Sequence, residues 1–134
     1  MSESSANLKW LNVVLWVFQV ILALMFGMAG IMKGTASFSD LAIKVPWTVD
    51  VPHALTRFIA SCEFLGSLGL LLPSITKIKP WLTPLAAAGI STIMILAIGF
   101  HVSRGEYQNT LVNIILGSAA AFIAWGRFKK VPLK

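Results

Sequence analysis

The sequence predicts an all-α fold, a bundle of four transmembrane helices, on three observations. Of its 134 residues 57% are hydrophobic and only 12% are charged, against roughly 25% charged in an ordinary soluble domain. Mean hydropathy is +0.80. The apolar residues gather into four long runs, with the basic residues mostly at their ends. One integral membrane domain covering residues 1–134 is the natural count for this length.

The first helix is expected over residues 10–32, a run whose only conventional polar side chains are Asn12 and Gln19. It exceeds the roughly 20 residues that cross a bilayer. A cleaved signal peptide is the rival reading, since Lys9 precedes the run, but a signal's apolar region is only about 7 to 15 residues long. An outer loop follows at 33–51, and it is long for a helix hairpin. It reads either as an interfacial loop anchored at headgroup level by Phe38 and Trp47, or as a lid over the mouth of the bundle. Asp50 and Pro52 open the second helix, 52–72, which at 1.5 Å per residue is about 31 Å long; Pro73 marks its end. The third helix, 80–102, starts at Pro80 and Trp81, with Pro84 near its first turn, where a missing N–H is tolerated. The fourth, 110–126, is the shortest.

Four spans put both termini on one side. That side and the loop between helices two and three carry Lys9, Lys77, Lys79, Arg127, Lys129, Lys130 and Lys134, whereas the other side carries Lys33, Lys44, Arg57 and Arg104. The excess of Lys and Arg places both termini in the cytoplasm. The formal net charge of +6 is thus explained by membrane-orienting residues at the ends of apolar runs, which argues for a lipid bilayer as partner and against nucleic acid. The closing WGRFKKVPLK reads as a basic anchor on anionic headgroups or as a docking tail for a soluble partner. The single cysteine, Cys62, excludes an internal disulfide framework and dithiol chemistry within the chain, and no Cys/His metal spacing occurs. Free buried cysteine is ordinarily a small apolar filler.

The informative residue is Glu63, inside RFIASCEFLGSLGLLLP. The topology gives it neighbours: Lys33 ends helix one, His101 ends helix three, Asn113 lies about one turn into helix four, and Arg57, Arg104 and Glu106 ring the same outer end. Asn12, Gln19, Phe26 and Lys33 recur every seven residues and form one stripe that drifts only about 20° per heptad. Lipid exposure of an acidic side chain costs roughly 2.5 to 3.5 kcal/mol even on insertion-based scales, so these groups are expected to point inward. If ionised, Glu63 needs Lys33, Arg57 or protonated His101 beside it. If neutral, it carries a proton that can be donated. Polar side chains also fasten helices to one another in lipid, and that plainer role competes with binding or proton transfer for Glu63 and Asn113.

The segments FGMAGIMK, RFIASCEFLGSLGLLLP, TKIKPWLTPLAAAGI, GFHVSRGEY and LVNIILGSAAAFIAWGR, in that order over about Trp10 to Arg127, resemble the DoxX-like family of small four-helix bacterial membrane proteins. The resemblance implies a bacterial inner-membrane bundle, in a family whose named members are associated with membrane oxidoreductase assemblies, including thiosulfate-to-quinone electron transfer. It supplies no catalytic residue list.

Two functions follow as expectations. In the first, the chain is an accessory component, with a membrane or soluble redox partner or a second copy of itself, that binds a quinone-like molecule between its helices. Lys33, Arg57, Glu63, His101, Arg104 and Asn113 would meet the polar head, and Phe26, Phe64 and Met94 the ring. In the second it is an enzyme on a lipophilic substrate, with Glu63 and His101 as acid and base and Lys33 or Arg57 stabilising negative charge. A weaker third reading is haem b held by His101 and His53. No metal site is expected.

Overall fold

The computed structural model describes residues 2–133 and is helical throughout those residues apart from short turns. Four helices are long and apolar enough to cross a membrane, within Ser5–Thr35, His53–Thr76, Leu82–Ser103 and Tyr107–Lys130. The chain is a multi-pass membrane protein. The elements are α1 (Ser2–Thr35), α2 (Phe38–Lys44), a 3-10 turn (Pro46–Asp50), α3 (His53–Thr76), α4 (Leu82–Ser103) and α5 (Tyr107–Trp125), continued by a π turn (Gly126–Lys130).

α1 packs chiefly on α3 and α4 chiefly on α5, while α3 against α4 joins the two pairs and α5 returns to α1. The core runs through all four, with Leu22, Ala23 and Phe26 from α1, Leu70 from α3, Ile90 and Met94 from α4, and Ala120 and Ile123 from α5. Small residues set the spacing. A Cβ on Gly30 would lie 2.8 Å from the Ala60 carbonyl oxygen and 2.9 Å from the Phe64 backbone nitrogen, so α1 and α3 touch backbone to backbone there. Outside the core the bundle presents Leu24, Met28, Leu65, Leu96 and Ile115 outward, as lipid contact requires.

Three sequence expectations change. The segment expected as an outer loop at 33–51 is a helical cover. Ser37 caps α2 by accepting a hydrogen bond from the Asp40 N–H at 3.2 Å, and Leu41 of α2 and Thr48 of the 3-10 turn are almost fully buried. Nor does α3 end at Pro73; it continues to Thr76. A proline in a helix leaves the carbonyl four residues earlier without its N–H. Here that carbonyl belongs to Gly69, and the Thr83 hydroxyl of α4 donates to it at 3.0 Å.

The third change is Arg127, expected among the basic residues at the membrane surface. Its side chain is instead buried, 2% exposed, with Nε donating to Gln19 Oε1 and Nη1 to Asn12 Oδ1, each at 2.7 Å. Gln19 in turn donates to the Leu70 carbonyl at 2.7 Å and to Ser74 Oγ at 3.0 Å. The polar half of the α1 stripe thus ties α1 to α3 and to the turn after α5, close to the termini.

Candidate functional site

The site is built at the end of the bundle opposite the termini. Lys33 stands in the last turn of α1. Glu63 lies ten residues into α3, about 15 Å along it at 1.5 Å per residue. Lys33 Nζ donates to Glu63 Oε1 at 2.5 Å, with the two side chains 13% and 3% exposed. Of the partners open to an ionised Glu63, the structure selects Lys33. Arg57 is occupied elsewhere, its guanidinium donating to the carbonyls of Lys33 and Ala36 at 2.8 and 2.9 Å. These are among the carbonyls that the end of α1 leaves unbonded.

Lys33, Glu63, Met94, His101 and Asn113 all line one cavity of about 350 Å³, together with Trp47 of the 3-10 turn, Cys62, Phe58 and Phe100. The volume lies within the range of small-molecule sites. The cavity wall is mostly hydrocarbon, and Leu55, Phe58 and Leu96 at its margin are 42%, 65% and 70% exposed on the lipid-facing surface. The cavity therefore opens sideways, between α3 and α4, rather than along the bundle axis.

His101 is buried and oriented by its neighbours. Its Nδ1 lies 3.0 Å from Glu106 Oε1, which also accepts from Arg104 Nε at 2.8 Å. Hydrogen bonds from His101 and then Arg104 hold the Glu106 carboxyl below its ordinary value of 4.5. An ionised carboxylate only accepts, so Nδ1 carries the shared proton. Nε2 has no partner among the described residues, and in the neutral ring it bears the lone pair. The Asn113 amide likewise makes no side-chain hydrogen bond among the described residues and is half-buried at the cavity wall.

The cover closes the end. Trp47 lies 5.7 Å from the Lys33 ammonium and edge-on to Phe100 and His101, at 5.9 and 6.2 Å between ring centroids. One margin is held where Phe38 stacks on His53 at 3.5 Å with the Arg57 guanidinium 4.2 Å from the Phe38 ring. The other is held by Arg104, whose Nη2 donates to Asp50 Oδ2 at 2.6 Å.

The sequence-derived residues separate accordingly. Lys33, Glu63, Met94, His101 and Asn113 meet around one space. Arg57 and Arg104 brace the cover instead of lining the cavity. Phe26 is packed in the core and Phe64 turns outward at 38% exposure. His53, on Phe38, does not line the cavity that His101 lines. The aromatic walls come from Trp47, Phe58 and Phe100, which periodicity does not distinguish because lipid and cavity accept the same side chains.

No curated protein and no solved structure matches the chain. The model of the DoxX-like family matches residues 17–123, from the first half of α1 to the last turn of α5. The chain belongs to the DoxX-like family.

Proposed function

We propose that the protein binds a lipophilic small molecule with an oxygen-bearing polar head, of the quinone class, taken up sideways from the bilayer, and that it serves as an accessory or binding component of a redox assembly in the bacterial cytoplasmic membrane, with both termini cytoplasmic. The observation that carries the reading is the division of the cavity. Hydrocarbon walls open towards lipid, while the Lys33–Glu63 pair, His101 and Asn113 line the same space. A quinone oxygen needs donors, which the ammonium and the Asn113 amide supply. Its ring and tail need apolar surface, which Phe58, Phe100, Met94 and the margin between α3 and α4 supply.

Mass spectrometry of molecules co-purifying with the wild type and with Glu63→Gln tests this. A quinone-class lipid retained by the wild type and depleted in the variant is the expected result. The same background lipids in both preparations would remove the reading's support.

A second reading, an acid/base enzyme, is favoured by the position of Glu63 and of His101, with its unpartnered Nε2, on one cavity. Such an enzyme exchanges an acidic C–H proton of its bound substrate with solvent. Deuterium uptake by the co-purified molecule in heavy water, lost in His101→Gln while binding persists, distinguishes catalysis from binding alone.

A further inference from the structure

A second cavity, of about 460 Å³, lies at the opposite end of the bundle, and the charged side chains described around it are all basic. It is lined by Lys9, Asn12 and Trp16 of α1, by Ser74 and Lys77 at the end of α3, and by Arg127. Three of these are cations and none is acidic. The acidic side chains that the structure describes, Asp40, Asp50, Glu63 and Glu106, belong to the cover, the first cavity and the α4–α5 turn at the far end.

Arg127 makes this more than a surface accumulation of lysines. Its acceptors are all neutral: the amide oxygens of Gln19 and Asn12, and the Val131 carbonyl at 3.1 Å. Its Nη2 is buried and has no hydrogen-bond partner among the described residues. No described carboxylate pairs with it, although a buried charge is ordinarily matched by an opposite one. The guanidinium is also fixed in place, by Gln19 and Asn12 on one side and by the Trp16 ring at 5.7 Å. A positioned cation with no carboxylate partner among the described residues, at the edge of a basic cavity, is the arrangement that phosphate oxygens satisfy.

We infer that this second cavity is a binding site for a phosphate-class anion, with Arg127 as its fixed charge and Lys9 and Lys77 as its mobile ones. In a membrane protein the phosphate arrives either on a lipid headgroup or free in solution. Basic pockets between transmembrane helices suit the first. The closing segment contributes to the site through Arg127, Val131, Pro132 and Leu133, whereas its Lys129 and Lys130 are exposed and outside the cavity.

Native mass spectrometry of the full chain in a neutral detergent, titrated with dioleoyl phosphatidylglycerol or dioleoyl phosphatidylcholine, tests the site. One phosphatidylglycerol is expected to bind in preference to phosphatidylcholine. Lys9→Gln/Lys77→Gln, which leaves the buried Arg127 network intact, should weaken it about thirtyfold. Lys129→Gln/Lys130→Gln removes the same charge and should change it little. Arg127→Gln should also release the lipid, but the lysine pair decides if that variant does not fold. Displacement by millimolar inorganic phosphate assigns the site to free phosphate, and its failure to displace assigns it to the lipid headgroup. Equal loss in the two lysine pairs, or equal binding of the two lipids without competition by phosphate, would overturn the inference.

Discussion

Replacing Lys33 with Met removes the single hydrogen-bonding partner that the described residues give the Glu63 carboxylate. Breaking a buried ion pair from one side costs about 3–5 kcal/mol, because the remaining charge stays buried and unmatched. Glu63 is 3% exposed and nearly three turns inside α3, whereas Lys33 is 13% exposed in the last turn of α1. The cavity gives the carboxylate some relief, which places the loss at the lower end, about 3 kcal/mol. Glu63→Leu should cost less, about 1 kcal/mol, because a lysine stem can carry its ammonium towards the surface and Trp47 stands 5.7 Å away to receive it. The double variant Lys33→Met/Glu63→Leu should recover most of the loss, since a paired apolar replacement of similar volume is often neutral. Reversible unfolding in mixed micelles titrated with dodecyl sulfate measures all three. A loss below about 1 kcal/mol for Lys33→Met, or a double variant no more stable than Lys33→Met, would refute a pair whose buried partner dictates the stability.

Gly30→Ala should destabilise by about 1–3 kcal/mol by overpacking, because its new Cβ meets α3 backbone rather than a movable side chain. Gly89→Ala, where a Cβ meets nothing within 4 Å, is the control, and the same micelle titration compares them. Glu106 should make stability pH-dependent. Its folded value is lowered by His101 and Arg104, so its contribution is present above the ordinary 4.5 and is lost as pH falls through the lowered folded value. Thermal unfolding of wild type and Glu106→Gln from pH 6 downward should show that acid limb shrinking in the variant. Asp50→Asn removes the Arg104 tie on the cover and should leave global stability nearly unchanged, as exposed pairs do. It should speed alkylation of Cys62, the cavity's own thiol, a few-fold, measured by intact mass against time.

Much of the fold is legible because the bilayer constrains composition so strongly. Long apolar runs, proline-marked starts and the sevenfold stripe of Asn12, Gln19, Phe26 and Lys33 fix where helices run and which face of α1 turns inward. The convergence of Lys33, Glu63, His101 and Asn113 follows from topology, since polar groups near the same ends of alternating helices must meet. What sequence leaves open has one cause. Lipid and protein interior accept the same apolar side chains, so apolar periodicity loses its inside-outside meaning in α3 and α4. Phe64 and Phe58 cannot be told apart that way, and they face different surroundings. The cover was signalled locally, by Ser37 ahead of FSDLAIK with Asp40 in its first turn, a capping pattern in a segment too short to show helical period. Arg127 was signalled indirectly. Asn12 and Gln19 required polar partners, and among side chains near the same end Arg127 has donors enough for both.

The most direct measurement of whether the Lys33, Glu63 and His101 cavity is a ligand site is the rate of Cys62 modification by N-ethylmaleimide against the concentration of a short-chain ubiquinone. Saturable protection in the wild type, weakened in Lys33→Met/Glu63→Leu despite retained folding, is the result expected of a quinone seated against these groups. A modification rate indifferent to ubiquinone at every concentration, in a protein whose cavity has been freed of co-purified lipid, would contradict it.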